Sequence, residues 1–443
     1  MIMRSAATTT SAALLSLLVG IAACSDDAPA NSPGGDNTHA GAGGTMGRGD
    51  GGEGGADPQG MAGASGGPAQ GGAAGAGGGA VVPGSGASTT PIEAITFDAL
   101  FVVNGGGNSI SVINTETNEV AGTIALQNAK FPHHLYLSED RSRLALAVPG
   151  VDLSGGHAAG PHAGHGGATP VPGLVMLLDA TTGATLKARK LPAGNHNAAF
   201  APSGTEIWTS QMTKPGTVVA LDAVTLEDVR SVEVGMGPAE VTFTGDPAAA
   251  FAYVANTASD SVTIINVPTG AVVKTIPVGK TPVGAWQAEN GRAYVDNEGS
   301  KTLTAIDTAT MEITLTYKLG FTPAYAALAP TGLLWVTDTD NGKVILYMPD
   351  MDMKHGEIAT GKGAHAIAFA GDKTGYVTNQ EANTVSVIDL ATDEVIKTIP
   401  VGKKPNGMVW RQKLSRVVVG SRASTVAGGL RPVGEPCSRS VCG

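Results

Sequence analysis

The stretch YVANTASDSVTIINVPTGAVVKTIPVGKTP (253–282) aligns without a gap to YVTNQEANTVSVIDLATDEVIKTIPVGKKP (376–405), with 15 identities in 30 positions. Between the two copies, Tyr253, Tyr294, Trp335 and Tyr376 recur every 41 residues, and looser copies start near Phe101, Leu144 and Ile207. Each unit reads as four short strands. The first follows a turn that is Gly-x-x-Pro in the clearest copies (GMGPAEVTF, GKTPVGAWQ, GFTPAYAAL). The second is the Tyr-Val segment, the third alternates as in TVSVID, and the fourth is short, as in EVIKTIPVG. Apolar residues alternate with period two in the strands, and Asn, Asp, Gly and Thr fill the turns between them.

Four antiparallel strands at a spacing of about 40–50 residues mark a β-propeller blade, a unit that buries its faces only against neighbours. Six complete units run from Pro132 onward. The strands from about Ile95 to Leu126 lack a first strand, and PNGMVWR (405–411) supplies one. A seventh, composite blade that closes the ring is therefore predicted, giving an all-β, seven-bladed propeller over residues 91–422. KLSRVVVG (413–420) also resembles a second strand and competes with ALFVVNG (99–105) for that place. The Tyr-Val-Thr-Asn at 376–379, the Tyr-Val-Ala-Asn at 253–256 and the Ile-Pro-Val-Gly endings resemble the YVTN-type β-propeller repeats over about residues 95–420. That resemblance implies the fold. Its superfamily spans surface-layer proteins, binding modules, lactonases and the catalytic domain of nitrous-oxide reductase, so it implies no single activity.

Ahead of the repeats the chain changes character. Residues 1–23 (MIMRSAATTTSAALLSLLVGIAA) carry one charge at Arg4, an apolar run and small residues, the layout of a secretory signal peptide. Ile21-Ala22-Ala23-Cys24 resembles the bacterial lipobox, which implies diacylglyceryl modification of Cys24 and a lipid anchor in the cell envelope. Ser25 after that cysteine favours the outer membrane. Residues 34–86 hold 23 of the 63 glycines, so 24–90 is expected to be a disordered tether. The only other cysteines, Cys437 and Cys442, lie in the 423–443 tail; a disulfide is expected in an oxidising compartment, with a redox or metal pair as the alternative. The net charge of −10 argues against a nucleic-acid partner. A monomer, with an envelope protein as partner, is the expectation.

Histidine carries the chemistry. Aligned on the first-strand turn, the residue after the Pro (or after Asn195 and Ala364, which replace it) is His133, His196, Ala239, Val283, Ala324, His365 and Asn406. The fold accepts Ala or Val there, so packing alone does not demand three histidines. First strands line a propeller's channel, so these side chains should converge at one channel mouth. His134 adjoins His133, and an insertion in the second unit, SGGHAAGPHAGHGGATP (154–170), adds His157, His162 and His165 on the same face. Neutral imidazoles suit a transition metal, Cu or Zn in particular, and three with an open position suit an exchangeable or catalytic one. The alternative is a set of polar rim residues bonded to backbone and water. The His133-His134 pair is similar in style to the copper-cluster propeller of nitrous-oxide reductase, but blades 4, 5 and 6 lack the histidine and no cupredoxin domain follows. No Cys-x-x-Cys-His occurs to hold heme.

Two further features are weaker. Met348, Met351, Met353 and His355 make a turn rich in soft ligands, which reads first as ordinary surface. Glu240 aligns with His134 and reads as a solvated rim charge, or else as a carboxylate ligand or general base. Three functions therefore stand open: a lipid-anchored binding or scaffold module with a metal at the channel mouth, a metal-dependent oxidoreductase or hydrolase using the same histidines, and a metal-free interaction propeller.

Overall fold

The computed structural model describes Ile92 and residues 94–155 and 171–413. Among them every regular element is a strand, arranged as seven four-stranded antiparallel sheets. The inner strands of blades 1 to 7 are Pro405–Arg411, Leu135–Leu137, Ala198–Phe200, Pro238–Thr244, Pro282–Ala288, Pro323–Leu328 and Ala364–Ala370. Each packs on the inner strands of both neighbouring blades, and Pro405–Arg411 packs on Leu135–Leu137 to complete the circle. The protein is an all-β, seven-bladed propeller. No helix among the described residues is long and apolar enough to cross a membrane.

Blade 1 is composite, as the sequence predicts. Pro405–Arg411 pairs antiparallel with Ala99–Asn104, which takes the second place in the sheet. Beyond Lys413, the segment that competes for this place lies outside the described residues. Arg411 secures the seam: its buried guanidinium donates to the carbonyls of Ala180 (2.6 Å) and Ile95 (2.7 Å).

The repeat motif has a physical origin in contacts made blade after blade. Tyr253, Tyr294, Trp335 and Tyr376 are fully buried on second strands. The motif asparagine ends that strand and ties it to two hydroxyls of the third. Asn104 Nδ2 donates to Ser109 (3.1 Å) and Ser111 (3.0 Å), and Asn379 Nδ2 donates to Thr384 and Ser386 (both 3.0 Å). Asn256 and Asn297 do the same. The glycine after the preceding blade's outer strand then closes on that asparagine. A Cβ on Gly402 would lie 2.4 Å from Asn104 Cγ, and Gly235, Gly279 and Gly361 stand likewise against Asn256, Asn297 and Asn379. Only glycine permits that approach, which explains the Val-Gly endings.

Outer strands face solvent, and their basic residues reach forward to the next blade. Arg189 donates to Leu226 O (2.8 Å), Arg230 to Val267 O (2.9 Å) and Lys274 to Met311 O (2.8 Å). Met351 and Met353 lie exposed in the blade 6 turn before Lys354–Ala359. Cys24, His157, His162, His165, Cys437 and Cys442 all fall outside the described residues.

Candidate metal centre

The inner strands begin irregularly, and the site is built on that irregularity. In blades 4, 6 and 7 the pairing with the second strand slips just after Pro238, Pro323 and Ala364. The slip leaves Glu240, Tyr325 and His365 on the bulged turn. Bulges re-aim side chains, and they recur beside functional sites. In blade 2 the strand proper starts at Leu135, yet His133 N donates to Ala147 O and Ala147 N to His134 O, both at 2.9 Å. That exchange holds both histidines at the channel end.

His133, His134 and His196 come together there. Their ligand atoms lie within 4.8 Å of one another, and all three residues are at most 2% exposed. His133 Nε2 and His196 Nε2 are 3.1 Å apart. The other nitrogen of His196, Nδ1, stands 2.8 Å from Glu240 Oε2, to which it donates. That bond places the proton on Nδ1 and leaves the His196 Nε2 lone pair facing His133. His134 Nδ1 is 3.4 Å from the same carboxylate oxygen, and His134 Nε2 is buried with no hydrogen-bond partner. The His133 and His134 rings stack with centroids 4.4 Å apart. His365, half-buried, lies about one ring further out, 6.0 Å from His133 and 5.9 Å from His134 by centroids.

Glu240 is the hub. It is fully buried, not a solvated rim charge, and accepts hydrogen bonds from His196, from Asn197 Nδ2 (2.7 Å) and from the Tyr136 hydroxyl. Burial alone would raise its pKa, but the charge of His134 and the hydrogen bonds from His134 and His196 outweigh that and hold the carboxyl down at about 2. Burial, followed by the negative charge of Glu240, pushes the Tyr136 hydroxyl well above its ordinary range, so it remains a donor. Asn197 is itself fixed, donating to Val241 O (2.7 Å) and accepting from Val241 N (3.2 Å).

An aromatic wall stands opposite. Trp286 stacks on Tyr325 (3.8 Å between centroids) and faces His134 (5.8 Å), and its indole N–H donates to Asp296 at 2.6 Å. Gly284 leaves room for this pair, since a Cβ there would strike Asp296 and the indole. Side chains from blades 2, 5 and 7 thus come together, with ring centroids 5.8 Å apart for His134 and Trp286 and 5.9 Å apart for His134 and His365. His133, His134 and His196 are buried there.

Tyr136, Asn197, Trp286 and Asp296 do not stand out in the sequence. The one signal for them is the second position after the turn, where His134, Asn197 and Glu240 are polar while Gly284 and Gly407 have no side chain. His157, His162 and His165 lie outside the described residues, so the three-residue cluster is formed without them.

Comparison with known proteins agrees on the fold. A family model described as YNCE-like β-propeller matches residues 272–428. No curated protein matches the sequence significantly. Among solved structures, hydrazine synthase of Kuenenia stuttgartiensis is similar with a TM-score of 0.55 and 18% identity, covering 71% of this chain and 100% of that one. A Bacteroides fragilis protein provisionally named a 6-phosphogluconolactonase has a TM-score of 0.56 and 14% identity, covering 72% and 98%. The dihydro-heme d1 dehydrogenase NirN, solved in complex with DHE, has a TM-score of 0.50 and 15% identity, covering 72% and 77%. At these identities the likeness concerns the fold alone. The chain is a seven-bladed propeller similar to the YVTN and YNCE-like repeat proteins.

Proposed function

We propose that this propeller binds a transition metal ion, Zn(II) or copper, at one end of its channel, and serves as a metal-carrying binding or scaffold module. The observation that carries the reading is the 3.1 Å approach of His133 Nε2 to His196 Nε2, with His196 Nδ1 taken up by Glu240. Two imidazole nitrogens at about 2.0–2.1 Å from one tetrahedral ion stand about 3.3–3.4 Å apart. The pair is therefore close to ligand spacing already. The buried His134 Nε2 supplies a third nitrogen, which has no hydrogen-bond partner among the described residues. A carboxylate behind a ligating imidazole fixes its tautomer and raises its basicity, and Glu240 stands in that position behind His196.

His133, His134 and His196 are the proposed ligands, and His365 lies next to His133 and His134. Three neutral nitrogens with no thiolate favour Zn(II) or Cu(II) over softer ions. The lipobox-like Ile21-Ala22-Ala23-Cys24 supports placement at the bacterial cell envelope, lipid-anchored through Cys24, with the outer membrane favoured. Calorimetric titration of Zn(II) and Cu(II) into tag-free protein tests the metal. Absence of binding leaves a metal-free interaction propeller whose histidines are a hydrogen-bonded plug. Membrane fractionation of a Cys24→Ser variant tests the anchor: partitioning equal to wild type would remove it.

A further inference from the structure

Blade 1 contributes no ligand to the cluster, yet its inner strand touches it. Gly407 N donates to His133 O at 3.1 Å, so the seam strand pins the backbone of the histidine pair. The second contact is steric. A Cβ on Gly407 would lie 2.8 Å from His134 Cα, 3.0 Å from His133 O and 3.2 Å from His134 Cδ2. Cδ2 is bonded to Nε2, the nitrogen of His134 that has no hydrogen-bond partner among the described residues. The register position of Gly407 holds His134, Asn197, Glu240, Tyr325 and Ala366 in other blades, so a side chain is compatible with the fold there.

We infer that Gly407 is a positioning residue of the metal centre: by lacking a side chain, the seam strand sets the orientation of the His134 ring and the direction of its free nitrogen. The inference rests on the proposed metal site. It adds that the site is completed by the strand that closes the ring, although all three ligands come from blades 2 and 3. A methyl at 407 meets His134 Cα and His133 O first and the ring at Cδ2 next, so it shifts the histidine pair and turns the His134 ring away from the other two imidazoles.

The test is a double-mutant cycle on Cu(II) affinity, using wild type, Gly407→Ala, His134→Ala and the double variant, with electron paramagnetic resonance of each loaded protein. Gly407→Ala should lower affinity about 10- to 100-fold, the scale for losing a group that orients a ligand. It should also remove one nitrogen from the copper hyperfine pattern. In the His134→Ala background the same substitution should change affinity little, because the nitrogen it displaces is already gone. Gly356→Ala, whose Cβ would meet only Leu346 at 3.5 Å, is the control and should bind as wild type does. Wild-type protein that binds no copper overturns both the site and this inference. Binding that is unchanged in Gly407→Ala, with the same spectrum, overturns this inference alone. If Gly407→Ala fails to fold, folding of the double variant shows that the ring was the obstructed group and supports the inference. Failure of both to fold assigns Gly407 to the strand and overturns it.

Discussion

His196 Nδ1 and Glu240 Oε2 meet at 2.8 Å, with the histidine side chain 2% exposed and the carboxylate fully buried. Two blades are joined by this one contact, since His196 opens blade 3 and Glu240 lies in blade 4. A buried carboxylate held by hydrogen bonds is weak evidence for net stability, but removing it is costly because its partners remain buried without compensation.

Glu240→Ala should therefore destabilise the propeller by about 3–5 kcal/mol. Four groups, on His134, His196, Tyr136 and Asn197, lose their acceptor at once. Glu240→Gln keeps an acceptor oxygen and should cost less. Urea denaturation of both variants measures the difference, and wild-type stability in Glu240→Gln would contradict a role for the charge.

Metal should stabilise the folded protein. A ligand that binds only the folded state contributes about 2.7 kcal/mol at a hundred times its dissociation constant. The melting temperature of wild type should rise with Zn(II), whereas a variant with His133, His134 and His196 all changed to Ala should show no rise. The wild-type effect should weaken as pH falls, because the ligands must be deprotonated to bind.

Gly402→Ala should cost about 1–3 kcal/mol, the usual penalty for extra atoms in a packed contact. Its Cβ would fall 2.4 Å from Asn104 Cγ and 2.5 Å from Asn104 Nδ2. Gly279→Ala, which meets Asn297 in the same way, should behave alike. Thermal denaturation of the two against Gly356→Ala checks the latch, and three similar curves would dismiss it.

Asp140 offers a test of pH dependence away from the histidines. Hydrogen bonds from Ser138, and then from Ser142, hold its carboxyl at about 2, below the ordinary 3.8. The folded-state value is depressed, so the stabilisation is present above the ordinary value and lost as pH falls from 3.8 towards 2. Asp140→Asn should lower stability slightly at about pH 5 and flatten the acid limb of the stability profile between those values. An unchanged limb would show that the turn is held by other contacts.

The fold was legible because its contacts repeat. Each Tyr-Val-x-Asn segment makes the same hairpin tie and receives the same glycine, so one alignment exposes the whole ring. His133 and His196 were legible too, because the aligned register shows Ala239 and Val283 where they stand, and His134 adjoins His133. Glu240 was not, since its sequence neighbours do not say whether it meets water. Its burial arises from Tyr136, Asn197 and the two histidines, which belong to blades 2 and 3. Trp286 and Asp296 were hidden for the same reason. They cross a channel whose width no local pattern encodes.

The seam has a consequence for synthesis. Ala99–Asn104 is among the first strands made, and its partner Pro405–Arg411 comes only at the far end of the repeats. In the interval the early strand offers an unpaired edge, the kind of surface that recruits other chains. Closure also waits on the longest loop in the molecule, and pairing over such separations is slow. A chain cut short before Arg411 would keep six blades' worth of sequence and still lack a finished circle. Truncation that removes Pro405–Arg411 should thus leave the ring unclosed.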